Sequence, residues 1–304
     1  MSLQAVNKIW MNGSLVNWED AKIHVLTHAL HYGTGVFEGI RCYSTPSGSA
    51  VFRHREHISR LFDSAKLYYM DIPYSQEQIM QAVKDTIKTN GLDKCYIRPI
   101  VFRGYGEMGL NPLNAPVDVS IAVWPWGAYL GEEGLEKGIR VKTSSYQRIP
   151  SNTLPSMAKA TGQYINSILA KIETMKAGYD EALLLDSRGF VSEGPGENIF
   201  IVRDNVIYTP PEHASILKGI TRDSVIQIGR YLGYKVVEQD ITRASLYLAD
   251  EALFTGTAAE ITPIREIDGY EIGEPGKITK EIQKVFFDII NGRFDEFGGW
   301  LDII

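Results

Sequence analysis

Cys95-Tyr-Ile-Arg-Pro-Ile-Val-Phe102, continuing as Arg103-Gly104-Tyr-Gly106-Glu-Met-Gly109-Leu110-Asn-Pro112, separates two fold classes. The first half is rich in β-formers and reads as a strand. The second half spells GxGxxG directly after that strand, the fingerprint of a dinucleotide-binding, doubly wound sheet. That fingerprint needs a helix to open at the last glycine, because the helix N-terminus holds the pyrophosphate. Leu110-Asn-Pro-Leu-Asn-Ala-Pro116 cannot form one, since two prolines break it. The glycines therefore form a loop, and a doubly wound fold is set aside. Pro99 removes one ladder donor from the strand, which predicts an edge position or a bulge.

On the N-terminal side, Asn12-Gly13 between Ile9-Trp-Met11 and Leu15-Val16 predicts a hairpin, because both residue types accept positive φ. Val51-Phe-Arg53 closes a strand, and Glu56 to Tyr69 reads as an amphipathic helix. Ser75 with Gln78 forms a capping box for a helix running to Asn90 and stopping at Gly91. Its apolar positions Ile79, Val83 and Ile87 give one buried face. On the C-terminal side, Ser120 to Trp124 is a further strand. Three glycines and a proline between Pro125 and Gly134 then break all regular pattern. Beyond lie short β-rich runs (Ala182–Leu185, Asn198–Val202, Ile207–Tyr208, Lys235–Glu238, Ala252–Thr255) and three helices (Gly162–Ala177, Thr221–Leu232, Thr279–Ile290). Strands and helices do not alternate strictly, so the fold class is α+β. The expected division is an N-terminal domain over 1–125, an interdomain loop over 126–138 and a larger domain over 139–304.

The chain has 304 residues, a net charge of −6, and 44% hydrophobic and 22% charged residues. This balance argues against nucleic acid or an anionic membrane surface as partner. Any bound anion must be held by a few placed groups. Cys42 and Cys95 make no disulfide framework, which suits a reducing cytoplasm. The first residues show no basic stretch followed by an apolar run, so no signal peptide is expected. No stretch approaches the ~20 apolar residues of a membrane span.

Ser156-Met-Ala-Lys159 spells SxxK, but the SDN and KTG partners of a serine acyl enzyme are missing. His24, His28 and His31 share a face only if helical. Gly33 and Gly35 disrupt a helix there and no further ligand follows at metal spacing, so no metal is expected. Lys159 stands among small and apolar residues, Pro155-Ser-Met-Ala-Lys-Ala-Thr-Gly162. An apolar setting lowers a lysine's pKa and makes a neutral nucleophile able to form a Schiff base. Glu193, in Ser192-Glu-Gly-Pro-Gly-Glu-Asn198, is either a plain turn glutamate or the carboxylate that keeps a pyridinium nitrogen protonated. Lys218-Gly-Ile-Thr-Arg-Asp223 opens a helix on a glycine, and Gly256-Thr-Ala-Ala-Glu260 is a second small-residue turn. Each is an ordinary cap alone; together with an apolar lysine they offer places for a phosphate and a carboxylate. Tyr96 and Arg98 point to one strand face, and Arg98 is the only charge in its run. A carboxylate is therefore expected near it, from an internal salt bridge or from a ligand.

Taken together these residues resemble the class IV aminotransferases, and within them the branched-chain amino acid aminotransferases. The resemblance runs from Ile9-Trp-Met-Asn-Gly13 to Gly299-Trp-Leu301. It rests on Tyr32-Gly-Thr-Gly-Val-Phe-Glu-Gly-Ile-Arg41, Phe52-Arg-His-Arg-Glu-His57 with Arg60, Tyr96-Ile-Arg-Pro99, Pro125-Trp-Gly-Ala-Tyr129, Ala158-Lys159, Glu193 to Asn198, Gly219-Ile-Thr-Arg222 and Gly256 to Glu260. It implies a two-domain fold with a small N-terminal α/β domain and a larger β-barrel-like C-terminal domain that binds pyridoxal 5'-phosphate. Lys159 would carry the cofactor and shuttle a proton. Glu193 would pair with the pyridine nitrogen and Tyr164 with the phenolic oxygen. Arg60, Ile220, Thr221 and Thr257 would hold the phosphate, with Leu217, Gly219 and Gly256 lining the cofactor. The α-carboxylate would sit on Tyr96 and the Thr257–Ala258 backbone. Phe37, Trp126 and Tyr129 would form an apolar wall. Arg98 would take glutamate's distal carboxylate, with Tyr32 and Leu110 reaching in from a neighbouring subunit. A homodimer at least, with a trimer of dimers as the next assembly, and a cytoplasmic enzyme of branched-chain amino acid biosynthesis acting on small amino acids and 2-oxo acids, follow from the same resemblance. Pro195 departs from the family's usual small residue, so a local backbone change is expected there. D-amino-acid aminotransferases and aminodeoxychorismate lyases share the lysine and glutamate and are the near rivals. A serine acyl enzyme and a non-catalytic ligand-binding protein are the remote ones.

Overall fold

Asn12 and Gly13 both take positive φ, 47° and 92°, and join strands β1 (Lys8–Met11) and β2 (Ser14–Asn17) in the expected hairpin. This computed structural model describes residues 3–127 and 130–304. Tyr129, expected in the apolar wall, lies outside the described residues. The described chain divides into two units. The first comprises Met1–Trp126, Ala158–Gly162 and Ile289–Ile304; the second comprises Gly127–Met157 and Gln163–Asp288. Two segments expected in the second domain thus belong to the first unit, and one of them carries Lys159.

In the first unit, helix α1 (His28–Tyr32) precedes strands β3 (Gly35–Phe37), β4 (Ile40–Thr45) and β5 (Gly48–Phe52). Helices α2 (His54–Leu67) and α3 (Gln76–Thr89) follow, then strands β6 (Cys95–Arg103) and β7 (Val117–Trp124). The Ser75 capping box closes as expected: Ser75 Oγ accepts from Gln78 N, and Gln78 Oε1 accepts from Ser75 N at 2.8 Å. Ile79, Val83 and Ile87 are buried against Ile97, Ile121 and Val123 of the sheet, with Ile58 and Leu61 of α2. The sheet order is β16-β5-β4-β6-β7-β1-β2, where β16 is Leu301–Ile303, and β3 also pairs with β6.

β6 is a central strand, not an edge. It pairs with β7 along one side, and with β4 and then β3 along the other. Pro99 is tolerated because its neighbour strand breaks there. The Pro99 carbonyl accepts from Glu38 N at 2.9 Å, so the missing N–H faces the gap between β3 and β4. The Gly104–Gly109 glycines form a loop, as expected.

The second unit opens with helix α4 (Glu132–Lys137), inside the interdomain loop expected over 126–138. Its other elements, in chain order, are β8 (Ile139–Thr143), α5 (Tyr164–Lys176), β9 (Glu181–Leu183), β10 (Asn198–Arg203), β11 (Val206–Thr209), α6 (Ile220–Tyr231) and β12 (Lys235–Glu238). They end with α7 (Arg243–Tyr247), β13 (Glu251–Gly256), β14 (Glu260–Ile267), β15 (Tyr270–Glu271) and α8 (Lys277–Ile290). The sheet order is β12-β11-β10-β13-β14-β8-β9, with parallel and antiparallel pairs mixed, and β15 also pairs with β14. Val141, Leu183, Ile199, Phe254 and Ile264 form its core. Both units mix sheet and helix without strict alternation, which is the α+β class.

Candidate active site

In the first unit, Lys159 is held at its backbone on both sides. Its carbonyl accepts from Phe37 N at 3.0 Å, and its N–H donates to Ser64 Oγ at 3.1 Å. Ala160 forms an antiparallel bridge with Val36, so the segment lies along β3 like a fragment of strand. Thr161 Oγ1 donates to the carbonyls of Gly33 and Gly35, at 2.9 and 3.2 Å. Gly33 takes φ +66°, and a Cβ there would lie 2.9 Å from Gly162 Cα, so the close crossing requires glycine. The Lys159 ammonium end lies 5.2 Å from the centre of the Phe37 ring.

Arg60 and Glu38 form a bidentate pair. Arg60 Nε donates to Glu38 Oε1 at 2.7 Å and Nη2 to Oε2 at 2.9 Å. Glu38 is fully buried, and His57 Nδ1 lies 2.8 Å from the same Oε2. Burial works to raise the Glu38 carboxyl. The Arg60 charge and the hydrogen bonds from His57 and Arg60 outweigh it and hold the group well below the usual carboxylate range. Burial pushes the His57 imidazole down. A carboxylate only accepts, so the neutral ring donates from Nδ1.

Tyr96 and Arg98 share one face of β6, as their spacing requires. The Arg98 guanidinium lies over three rings: Phe37 at 4.7 Å, Tyr96 at 5.3 Å and Trp124 at 5.9 Å. Trp126 packs edge-on against Tyr96 at 4.2 Å. No carboxylate of the described residues pairs with Arg98, so the internal salt bridge is not there. Arg98 Nη2 reaches Tyr96 Oη at 3.4 Å, and Nε is buried without a partner. Gly39 makes this cluster possible: a Cβ there would fall 2.0 Å from Tyr96 Oη. Tyr32 and Leu110 stand apart, 43% and 90% exposed. His28 links their segments, its ring tilted against Tyr32 at 4.6 Å and bonding the Gly109 carbonyl at 2.8 Å.

In the second unit, Glu193 is buried and three donors converge on it. Arg148 Nε reaches Oε1 at 2.8 Å, while Asn198 Nδ2 and Leu217 N reach Oε2 at 3.0 and 2.9 Å. Asn198 Nδ2 also donates to the Leu217 carbonyl at 3.0 Å. Gly219 must be glycine, since a Cβ would lie 1.9 Å from Asn198 Oδ1. Gly219 is the N-cap of α6, so no side chain caps the amides of Ile220 and Thr221. Thr257 and Ala258 form the turn between β13 and β14. Gly256 leads into it, with its Cβ position 3.1 Å from the Gly196 carbonyl. Tyr164 is the first residue of α5. Pro195 sits inside the turn closed by Gly194 N to Glu197 O at 2.7 Å, and the donors on Glu193 are in place.

Glu38, His57, Arg148 and Asn198 escaped the reading of the sequence. Glu38, His57 and Arg148 are ordinary polar residues whose partners lie 19 to 45 positions along the chain. Only Asn198, five residues from Glu193 in a short turn, carried a local signal.

The first unit thus carries a backbone-clamped lysine and an arginine among aromatic rings, and the second a glycine-capped helix start and a buried carboxylate with its donors. The chain matches the model of the amino-transferase class IV family over residues 35–267, and it belongs to that family. The branched-chain-amino-acid aminotransferase of Escherichia coli (strain K12) is 51% identical over 305 residues, covering 99% of each chain. The crystal structure of a T.th. branched-chain amino acid aminotransferase with pyridoxamine 5'-phosphate superposes with a TM-score of 0.95 at 51% identity, over 99% of each chain. The same enzyme complexed with N-(5'-phosphopyridoxyl)-L-glutamate gives 0.94 at 50% identity, again over 99% of each chain.

Proposed function

We propose that this chain transfers the amino group reversibly between L-leucine, L-isoleucine or L-valine and 2-oxoglutarate, yielding the branched-chain 2-oxo acids and L-glutamate. The observation that carries this reading is Arg98. Its guanidinium packs on aromatic faces and has no carboxylate partner among the described residues. The stacked guanidinium keeps the surroundings apolar enough for a branched aliphatic side chain. Its unsatisfied N–H capacity answers the distal carboxylate of glutamate.

The residues present fit pyridoxal 5'-phosphate. Glu193 offers a fixed acceptor to a pyridinium N–H, the α6 start offers uncapped amides to a phosphate, and Lys159 offers a primary amine. When bound, the cofactor supplies an electrophilic carbon and an electron sink. Lys159 would hold it through its amine and would accept and return the proton at the substrate Cα. Glu193 would hold a proton on the ring nitrogen, and Tyr164 would bind the phenolic oxygen. Arg60, the Ile220 and Thr221 backbone, and Thr257 would take the phosphate, and Leu217, Gly219 and Gly256 would line the cofactor. Tyr96 and the Thr257–Ala258 backbone take the substrate α-carboxylate. Phe37, Trp126 and Tyr129 exclude water from the side chain. Tyr32 and Leu110 act on a neighbouring subunit's site, which their exposure supports, so the working form is a homodimer at least, with a trimer of dimers as the next assembly. The setting is cytoplasmic. Among the described residues, no helix is long and apolar enough to cross a membrane.

An amino-transfer assay with 2-oxoglutarate and L-leucine, L-valine, D-alanine or no donor tests the reading. Turnover with leucine and valine, lost in Lys159→Ala while the chain stays folded, is the expected result. Turnover on D-alanine alone would overturn the substrate, and turnover retained in Lys159→Ala would overturn the mechanism.

A further inference from the structure

We propose that Glu38 is a positioning residue that aims the Arg60 guanidinium at the cofactor's phosphate, with His57 fixing Glu38 in turn; this rests on the reading of Arg60 as a phosphate ligand. The pair is fully formed by protein groups alone. Glu38 accepts from Arg60 Nε at 2.7 Å, from Arg60 Nη2 at 2.9 Å, from His57 Nδ1 at 2.8 Å and from Gly39 N at 3.3 Å. Its carboxylate is wholly inside the protein, so these four donors are what compensates its desolvation. A buried ion pair is seldom the most stable filling of a core, and an apolar replacement often does as well. A bidentate fork does what an apolar filling cannot: it sets the plane and direction of the guanidinium before an anion arrives. The rotamer freedom that binding would otherwise cost is already removed.

Placement ties this device to the reactive segment. His57, Arg60 and Ser64 recur at i, i+3 and i+7 on α2, one face of the helix. Ser64 on that face accepts from Lys159 N, and His57 feels the Lys159 charge. Glu38 follows Phe37, whose N–H donates to the Lys159 carbonyl, and it occupies the break between β3 and β4 opposite Pro99. One helix face and one strand break therefore fix both the lysine's backbone and the arginine's side chain. Glu38→Gln keeps the size of the side chain but replaces one acceptor oxygen with a donor and removes the charge, so the fork loses its direction.

The test compares dissociation constants of pyridoxal 5'-phosphate and of pyridoxal, which lacks the phosphate, on the full chain stripped of cofactor. Glu38→Gln is expected to weaken the phosphorylated ligand by about tenfold to a hundredfold, the range typical of lost orienting partners, and to leave pyridoxal nearly unchanged. Glu38→Asp, which keeps the charge, should recover part of the difference. An equal loss for both ligands makes Glu38 merely structural and overturns the proposal. Arg60→Lys separates the two levels of the reading. If it collapses the preference for the phosphorylated ligand while Glu38→Gln does not, the positioning role alone is wrong. If Arg60→Lys also leaves the preference intact, the phosphate reading and the proposal both fail. Should Glu38→Gln fail to fold, His57→Asn reads the same preference, and an unchanged value there overturns the proposal.

Discussion

Arg98 shows what one half-buried guanidinium can do when rings replace a counter-ion. Its stacking on Phe37, Tyr96 and Trp124 explains why a lone charge tolerates a largely apolar strand. Arg98→Ala should therefore raise KM for 2-oxoglutarate and glutamate far more than for leucine; equal losses for both would remove its distal-carboxylate role. Gly39 is a second single-residue constraint. Gly39→Ala drives a methyl into Tyr96 Oη, 2.0 Å away, and Tyr96 must move. Substrate affinity should fall with little change in melting temperature; unaltered KM values would show that Tyr96 is not a ligand. Glu197 is the third. Burial first, and then the Glu181 charge, push its carboxyl up to about 8 from an ordinary 4.5. Between those values the folded chain keeps a proton that the unfolded chain has released, so stability falls as pH rises through that window. Glu197→Gln should flatten this slope in urea unfolding at about pH 5 and about pH 8. An unchanged slope would assign the dependence to another group.

At the scale of elements, α3 was legible almost to the residue because its signals are local. Serine, glutamine and the four-residue apolar period all act within one or two turns. Ser75→Ala removes an acceptor for Gln78 N and should cost about 1 kcal/mol in denaturant unfolding. A loss near zero would mean that water replaces the cap. β6 was legible as a strand but not as a central one. Proline forbids a ladder bond only where a partner would offer one, and the partner's break at Glu38 is invisible in the run Cys95–Phe102. β14 was hidden for a related reason. Its run Glu260-Ile-Thr-Pro-Ile-Arg-Glu-Ile267 carries charge and proline, yet pairing with β13 and β8 makes it a strand.

At the scale of the molecule, each unit has its own sheet and core, and apolar side chains also remain outside. Val25, Leu30, Leu110 and Leu113 are 61–90% exposed in the first unit. Large apolar groups gathered on a surface point to association. The chain should sediment as a dimer or larger, and Leu30→Asp should shift it toward monomer; a wild-type monomer would overturn the proposed sharing of the site between subunits. The α+β class, the helix caps and the loop in place of a nucleotide fingerprint were readable from neighbouring residues, because turn chemistry and periodicity act over a few positions; the same local reading marked Lys159 and Glu193 as candidates. Tertiary structure alone decided that the Lys159 segment lies along β3, that Glu38 is held by Arg60 and His57, and that Glu193 meets Arg148 and the Leu217 amide. Those pairings join residues 19 to 124 positions apart, and a hydrogen bond across such a distance leaves no trace in composition or period until the chain has folded.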